Sequence, residues 1–222
     1  MAVGGIEVSM ATLQIANSMR NNHNRNRGQN TYAELPEYLG KKRAVVNVRN
    51  DDEYCFIWAV LSALHPKAHN AERVNSYIQF VTELKLDHLK FPMCLENIWK
   101  FEVQNRIAIN VFSYSDELGR DRYPMYQSKL HDVPSVDLLY FKEHYAWIRD
   151  FDMFMSDITG TQHKQHFCKR CFGHFKSADT LAKHQQHCQP DGVWKQLIKM
   201  PPYGTKIGFK NVKHMERAPF VV

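Results

Sequence analysis

VDLLYFKEHYAWIRD, residues 136–150, contains two apolar and aromatic runs separated by Lys142-Glu143, the pattern of two strands joined by a tight turn. Working outward, RIAINVFSY (106–114) alternates like a strand and ELGRDRY (117–123) reads as the turn after it. Further upstream the period changes. DDEYCFIWAVLSALH (51–65) sets Cys55, Trp58, Ala59, Leu61 and Ala63 at near-helical spacing between an acidic start and the stop at Pro66. A second helix is expected over 71–85, with Val74, Ile78, Val81 and Leu84 on one face. A third is expected over 95–103, with Ile98, Trp99 and Phe101 as core. RAVVNV (43–48) is a β-branched run and reads as a buried strand. Helices first and strands later predict a compact α+β domain over 32–159.

Composition bounds the rest. The chain has 222 residues, 44% of them hydrophobic, enough for one sizeable core and a small appendage. Its longest apolar run, CFIWAVLSAL (55–64), falls short of a membrane span, and no signal-peptide pattern opens the chain. A soluble, intracellular protein with no membrane partner is therefore expected. MRNNHNRNRGQN (19–30) is polar and poor in aliphatics, so residues 1–31 read as a disordered basic and polar tail. The net charge of +6 and a pI near 9.0 favour an anionic partner. Five cysteines, three of them in one short segment, suit reduced thiols better than a disulfide framework.

That segment is FCKRCFGHFKSADTLAKHQQHC (167–188). Cys168 and Cys171 flank two residues, His184 follows after twelve and Cys188 after three more, the ligand rhythm of a tetrahedral zinc site. A unit of about 25 residues cannot bury enough surface to fold alone, so metal binding becomes its folding energy. The segment resembles the Cys2His2 zinc finger family in its Cys2HisCys variant. The resemblance implies a ββα unit over 163–189, one structural Zn2+, and Phe175 and Leu181 as its small core. By family register the helix begins near Ala178 and turns Ser177, Asp179, Thr180 and Lys183 outward, with Ser177 also available as N-cap. With no arginine in that set, strong guanine readout is not expected. Lys164, Lys169, Arg170, Lys176 and Lys183 are the candidate phosphate contacts, and DNA is the expected partner, held weakly by one finger.

Cys55 at a helix start and His144 at a strand start form a second constellation. Backbone N–H groups and the helix dipole lower the pKa of a thiol so placed, and an imidazole facing it makes a nucleophilic pair. Asp52, Cys55, Phe56, Trp58 and His144-Tyr145 resemble the ovarian tumour class of cysteine peptidases within the papain-like fold. That resemblance implies Cys55 as nucleophile, His144 as base, Asp150 or Asp52 as its orienting group, and a ubiquitin-like substrate. The competing reading makes Cys55 a small buried apolar residue and His144 a satisfied surface group.

The longest resemblance joins residues 32–66, 86–112, HYAWI (144–148), the finger, and MPPYGTKIGFKNVKHMERAPFVV (200–222). In that order they resemble the region upstream of the exonuclease in the protein-primed family B DNA polymerases of Polinton (Maverick) transposons and related viruses. The resemblance implies that 190–222 links to an exonuclease domain, that a polymerase or exonuclease domain or a terminal protein is a partner, and that the protein works in DNA replication, in the nucleus. Two-metal nucleotidyl transfer needs clustered carboxylates, and no Asp-Thr-Asp palm motif occurs. These residues alone are thus expected neither to polymerise nor to proofread.

Overall fold

The computed structural model describes residues 8–22, 32–115, 122–159 and 163–188. Its centre is a mixed sheet of β1 (Val45–Val46), β2 (Ala108–Ser113), β3 (Pro124–Tyr126), β4 (Ser135–Phe141) and β5 (His144–Ile148), in the order β1-β5-β4-β2-β3. The hairpin read from the sequence is β4–β5, with Phe141 opposite His144. Lys142 and Glu143 close it at φ 49° and 62°, the left-handed pair whose twist matches that of the strands. β2 runs parallel to β4, and the outer strands β1 and β3 pair antiparallel.

Alternation along these strands makes two cores, which is why the fold is α+β with helices on both faces. Ile109, Val111, Val136, Leu138 and Tyr145 face α3 (Cys55–Leu64). Eight consecutive α3 residues, Cys55 to Ser62, are buried, as a helix apolar all round must be. Phe112, Leu139, Ala146 and Ile148 face the other way, against Leu39 of α2 (Glu37–Lys42) and Phe151, Phe154 and Met155 of α5 (Phe151–Met155). No helix among the described residues is long and apolar enough to cross a membrane.

Buried polar side chains fix how these layers meet. Asp52 holds the start of α3, accepting from Tyr54 N at 2.9 Å, Asn50 Nδ2 at 3.0 Å and Trp58 Nε1 at 3.0 Å. Glu102 of α4 (Ile98–Asn105) accepts from Ile109 N at 2.7 Å and Tyr126 Oη at 2.6 Å, tying α4 to β2 and β3. Asp157 ties the second core together, bound by Lys42 Nζ at 2.5 Å and by Arg122 Nη2 at 2.9 and 3.2 Å. The Arg122 guanidinium carries no exposed surface and lies 4.8 Å from the Phe154 ring and 5.1 Å from that of Tyr114.

Several expectations need correction. Within the segment read as a disordered tail, α1 (Met10–Asn22) is a helix whose Ala16 and Met19 enter the first core and whose Thr12 Oγ1 accepts from Leu86 N at 3.1 Å. Its few apolar residues are spaced for one narrow seam, which composition averages away. Residues 1–7 and 23–31 of that tail, and the linker read over 190–222, lie outside the described residues. The helix expected over 71–85 is instead two 3-10 segments, Val74–Ser76 and Ile78–Glu83. Ser76 Oγ donates to Asn70 O at 2.8 Å there, competing with helical pairing, and Val74 and Val81 lose rotamer freedom in an α-helix. The strand over 43–48 shortens to two residues: Arg43 turns left-handed at φ 54°, and among the described residues β1 pairs with β5 alone. Trp99, expected in the core, is 53% exposed, while Ile98 and Phe101 are buried as expected.

Candidate metal centre

Beyond the sheet the chain forms β6 (His166–Phe167), β7 (His174–Phe175) and α6 (Ala178–Gln185). β6 and β7 pair antiparallel, and the knuckle between them is closed by Cys168 N to Gly173 O and Phe172 N to Cys168 O, both 2.9 Å. Phe172 adopts φ 58°. Gly173 fits beside it because a Cβ there would stand 3.3 Å from Cys171 Sγ. α6 starts in a capping box, with Ser177 Oγ accepting from Thr180 N at 3.3 Å. One turn of chain then brings His184 and Cys188 to the same side, with the Phe175 ring 4.7 Å from the His184 imidazole.

The result is a converged ligand set. One donor atom from each of Cys168, Cys171, His184 and Cys188 lies within 4.8 Å of every other. Cys168 and Cys188 sulfurs are 3.7 Å apart, and Cys171 Sγ is 3.2 Å from His184 Nε2. Thiolates about 2.3 Å from a tetrahedral zinc stand about 3.8 Å from each other, so this spacing can hold such an ion. Gly173 N donates to Cys171 Sγ at 3.4 Å, a hydrogen bond that would steady a thiolate there. Burial, with the Cys168 and Cys171 thiols beside it, pushes the Cys188 thiol up to about 12; a bound cation would reverse that balance by stabilising the thiolates.

This unit is not a bead on a string. Phe167, 2% exposed, belongs to the second core. The Phe172 ring sits 5.9 Å from that of Phe112 and 6.2 Å from that of Phe151. Asp152 of α5 accepts from Phe167 N at 2.9 Å and meets His166 Nδ1 at 3.0 Å. Gln127 Nε2 donates to Lys169 O at 3.0 Å, and Lys169 Nζ forms an ion pair with Asp137 of β4.

Docking changes the reading of the expected phosphate contacts. Lys169 faces Asp137 and the Phe151 ring, and Arg170 Nη1 donates to Cys188 O at 3.1 Å, closing the unit's own end. Ser177 and Thr180 serve the capping box. Lys164, Lys176 and Lys183 remain exposed, as does Asp179. Internal anchors and surface cations look alike in a basic sequence; what separates them is the carboxylate at Asp137, thirty-odd residues away and invisible to spacing.

Cys55 and His144 stand where the sequence places them, at the first residues of α3 and β5, and each is 1% exposed. The expected orienting carboxylates have other work. Asp52 holds Tyr54 and Trp58, and Asp150 caps α5, accepting from Met153 N at 2.9 Å. The group on His144 is Asn47, whose Oδ1 lies 2.6 Å from Nε2, with the Tyr32 ring 5.5 Å from the imidazole. Asn47 was legible only as the one carboxamide inside the β-branched run 43–48. No protein-family model matches this chain, and neither a curated protein nor a solved structure shows significant similarity to it.

Proposed function

We propose that this chain is a zinc-binding module for DNA or a replication partner, corresponding to the N-terminal region of a transposon- or virus-derived protein-primed family B DNA polymerase, with nuclear residence. The observation that carries the reading is a converged Cys3His set flanked by exposed Lys176, just before α6, and Lys183, within it, while the other side of the unit is anchored on the sheet. Three thiolates and one imidazole leave no open coordination position, which suits a structural zinc rather than a catalytic one. Three exposed lysines on one small unit support weak, salt-dependent phosphate contact and little base readout. Changing Lys164, Lys176 and Lys183 together to glutamine should weaken duplex binding at least tenfold at low salt and flatten the log–log salt dependence by about 2 to 3, close to one per lost phosphate contact. An unchanged slope, measured by anisotropy titration over a salt series, would remove DNA from this reading and leave the protein partner.

The Asn47–His144 hydrogen bond favours a second reading, a papain-like cysteine peptidase. Cys55 would be the nucleophile, His144 the base and Asn47 the group that fixes the imidazole tautomer. Because Cys55 is 1% exposed, substrate access requires the start of α3 to open. A ubiquitin carrying a thiol-reactive C-terminus should then label the wild type and not Cys55→Ala, with Asn47→Ala slowing labelling roughly tenfold. No labelling between about pH 6 and 9, the range in which such a pair ionises, would sink it.

A further inference from the structure

We infer that the cleft at the carboxyl ends of the parallel strands β2 and β4 takes the bases of single-stranded nucleic acid. It has a volume of about 420 Å³ and is lined by Ser113, Tyr114, Tyr123, Tyr140, Phe141 and Lys142 among others. That volume suits a ligand of nucleotide size. The parallel register sets Ser113 beside Tyr140, so both strands end at one place and deliver their aromatic residues together. Tyr114, 5% exposed, floors the cleft with its ring 6.3 Å from that of Phe141, while Tyr123 stands 50% exposed at the mouth.

The chemistry names the ligand. Flat rings around a cleft favour a flat occupant, since a base stacked on an aromatic side chain gains affinity whatever its sequence. Lys142, at the hairpin turn, lies with Nζ 5.2 Å from the Phe141 ring, and none of the described lining residues is acidic. A planar group joined to a negative charge fits both features, and the chain's net charge of +6 favours its approach. The larger cleft between the zinc unit and the sheet, about 440 Å³, lacks this character. Its amides are already engaged, Asn110 with Asp137 and with Ser128 N, and Gln127 with Lys169 O.

The inference rests on the nucleic-acid reading but uses a different surface from Lys164, Lys176 and Lys183, and the two can fail separately. The probe is an iodouracil-substituted oligothymidylate, compared with a duplex of equal length at low salt on the full chain. Ultraviolet cross-linking followed by peptide mapping should place adducts on Tyr123 or on the 140–142 stretch. Tyr123→Ala should weaken single-strand binding about tenfold and leave duplex affinity unchanged, since loss of one stacked base lies within that range. The triple lysine variant should do the reverse. Adducts confined to the zinc unit, single-strand affinity unmoved by Tyr123→Ala, or no binding of the oligothymidylate at all would each overturn the cleft assignment. Only the duplex result bears on the three lysines.

Discussion

Replacing Cys168 with serine is expected to abolish metal binding and lower the melting temperature of the whole α+β body by roughly 10 °C, not merely to unfold a tethered finger. Phe167 immediately precedes the ligand Cys168 and is buried in the second core, and Phe172, inside the knuckle, packs on Phe112 and Phe151. If the ligand set opens, those rings lose the frame that seats them. Withdrawing one buried phenylalanine and part of another costs about 3 kcal/mol, and in a domain of this size each kcal/mol shifts the midpoint by about 2 to 4 °C. Metal analysis and scanning calorimetry on the same samples check it. A variant that loses its metal yet melts like the wild type would show that the docked aromatics hold without the ion, and a variant retaining one metal per chain would mean that Cys168 is not a ligand.

The second large effect is expected at Asp157. Burial alone would raise this carboxyl; the Lys42 hydrogen bond and the Arg122 and Lys42 charges outweigh burial and hold it below its ordinary value of 3.8. Its folded pKa is depressed, so its contribution is complete above the unfolded pKa and disappears as pH falls through the folded one. Wild-type stability should therefore drop steeply as pH is taken below about 4, where carboxylates lose their charge. Asp157→Asn should lack that part of the acid limb and be weaker by about 3 kcal/mol at neutral pH, because the fully enclosed Arg122 guanidinium keeps its charge and loses this carboxylate. Urea titrations of both proteins across the acid range decide it; parallel curves would mean that another group compensates Arg122.

The features most legible in the sequence were those set by local chemistry. The β4–β5 hairpin shows in two apolar runs around Lys142-Glu143, α3 in its uninterrupted apolar stretch, and the candidate metal ligands in a spacing that one knuckle and one helical turn convert into donor atoms within 4.8 Å of one another. What escaped depends on partners distant in the chain. α1 is a helix because Ala16 and Met19 find a core built by later residues. Asn47 sits on His144 because β1 pairs with β5. Lys169 and Arg170 are anchors because Asp137 and the Cys188 carbonyl lie beside them in space. Trp99 and Phe101 look equally apolar in sequence; only the packing of α4 decides which one faces inward.

The pairing of β1 with β5 also governs the order in which this protein can be made. Val45 finds its partner in Ile148, about a hundred residues later, and α3, whose surface is apolar all round, must wait for Leu138 and Tyr145 to cover it. At the usual pace of translation, about 5 to 20 residues per second, α3 leaves the ribosome several seconds before its sheet exists. Until then its eight buried side chains lack Val136, Leu138 and Tyr145 as cover, so nascent-chain folding is expected to depend on a chaperone that shields residues 55–62.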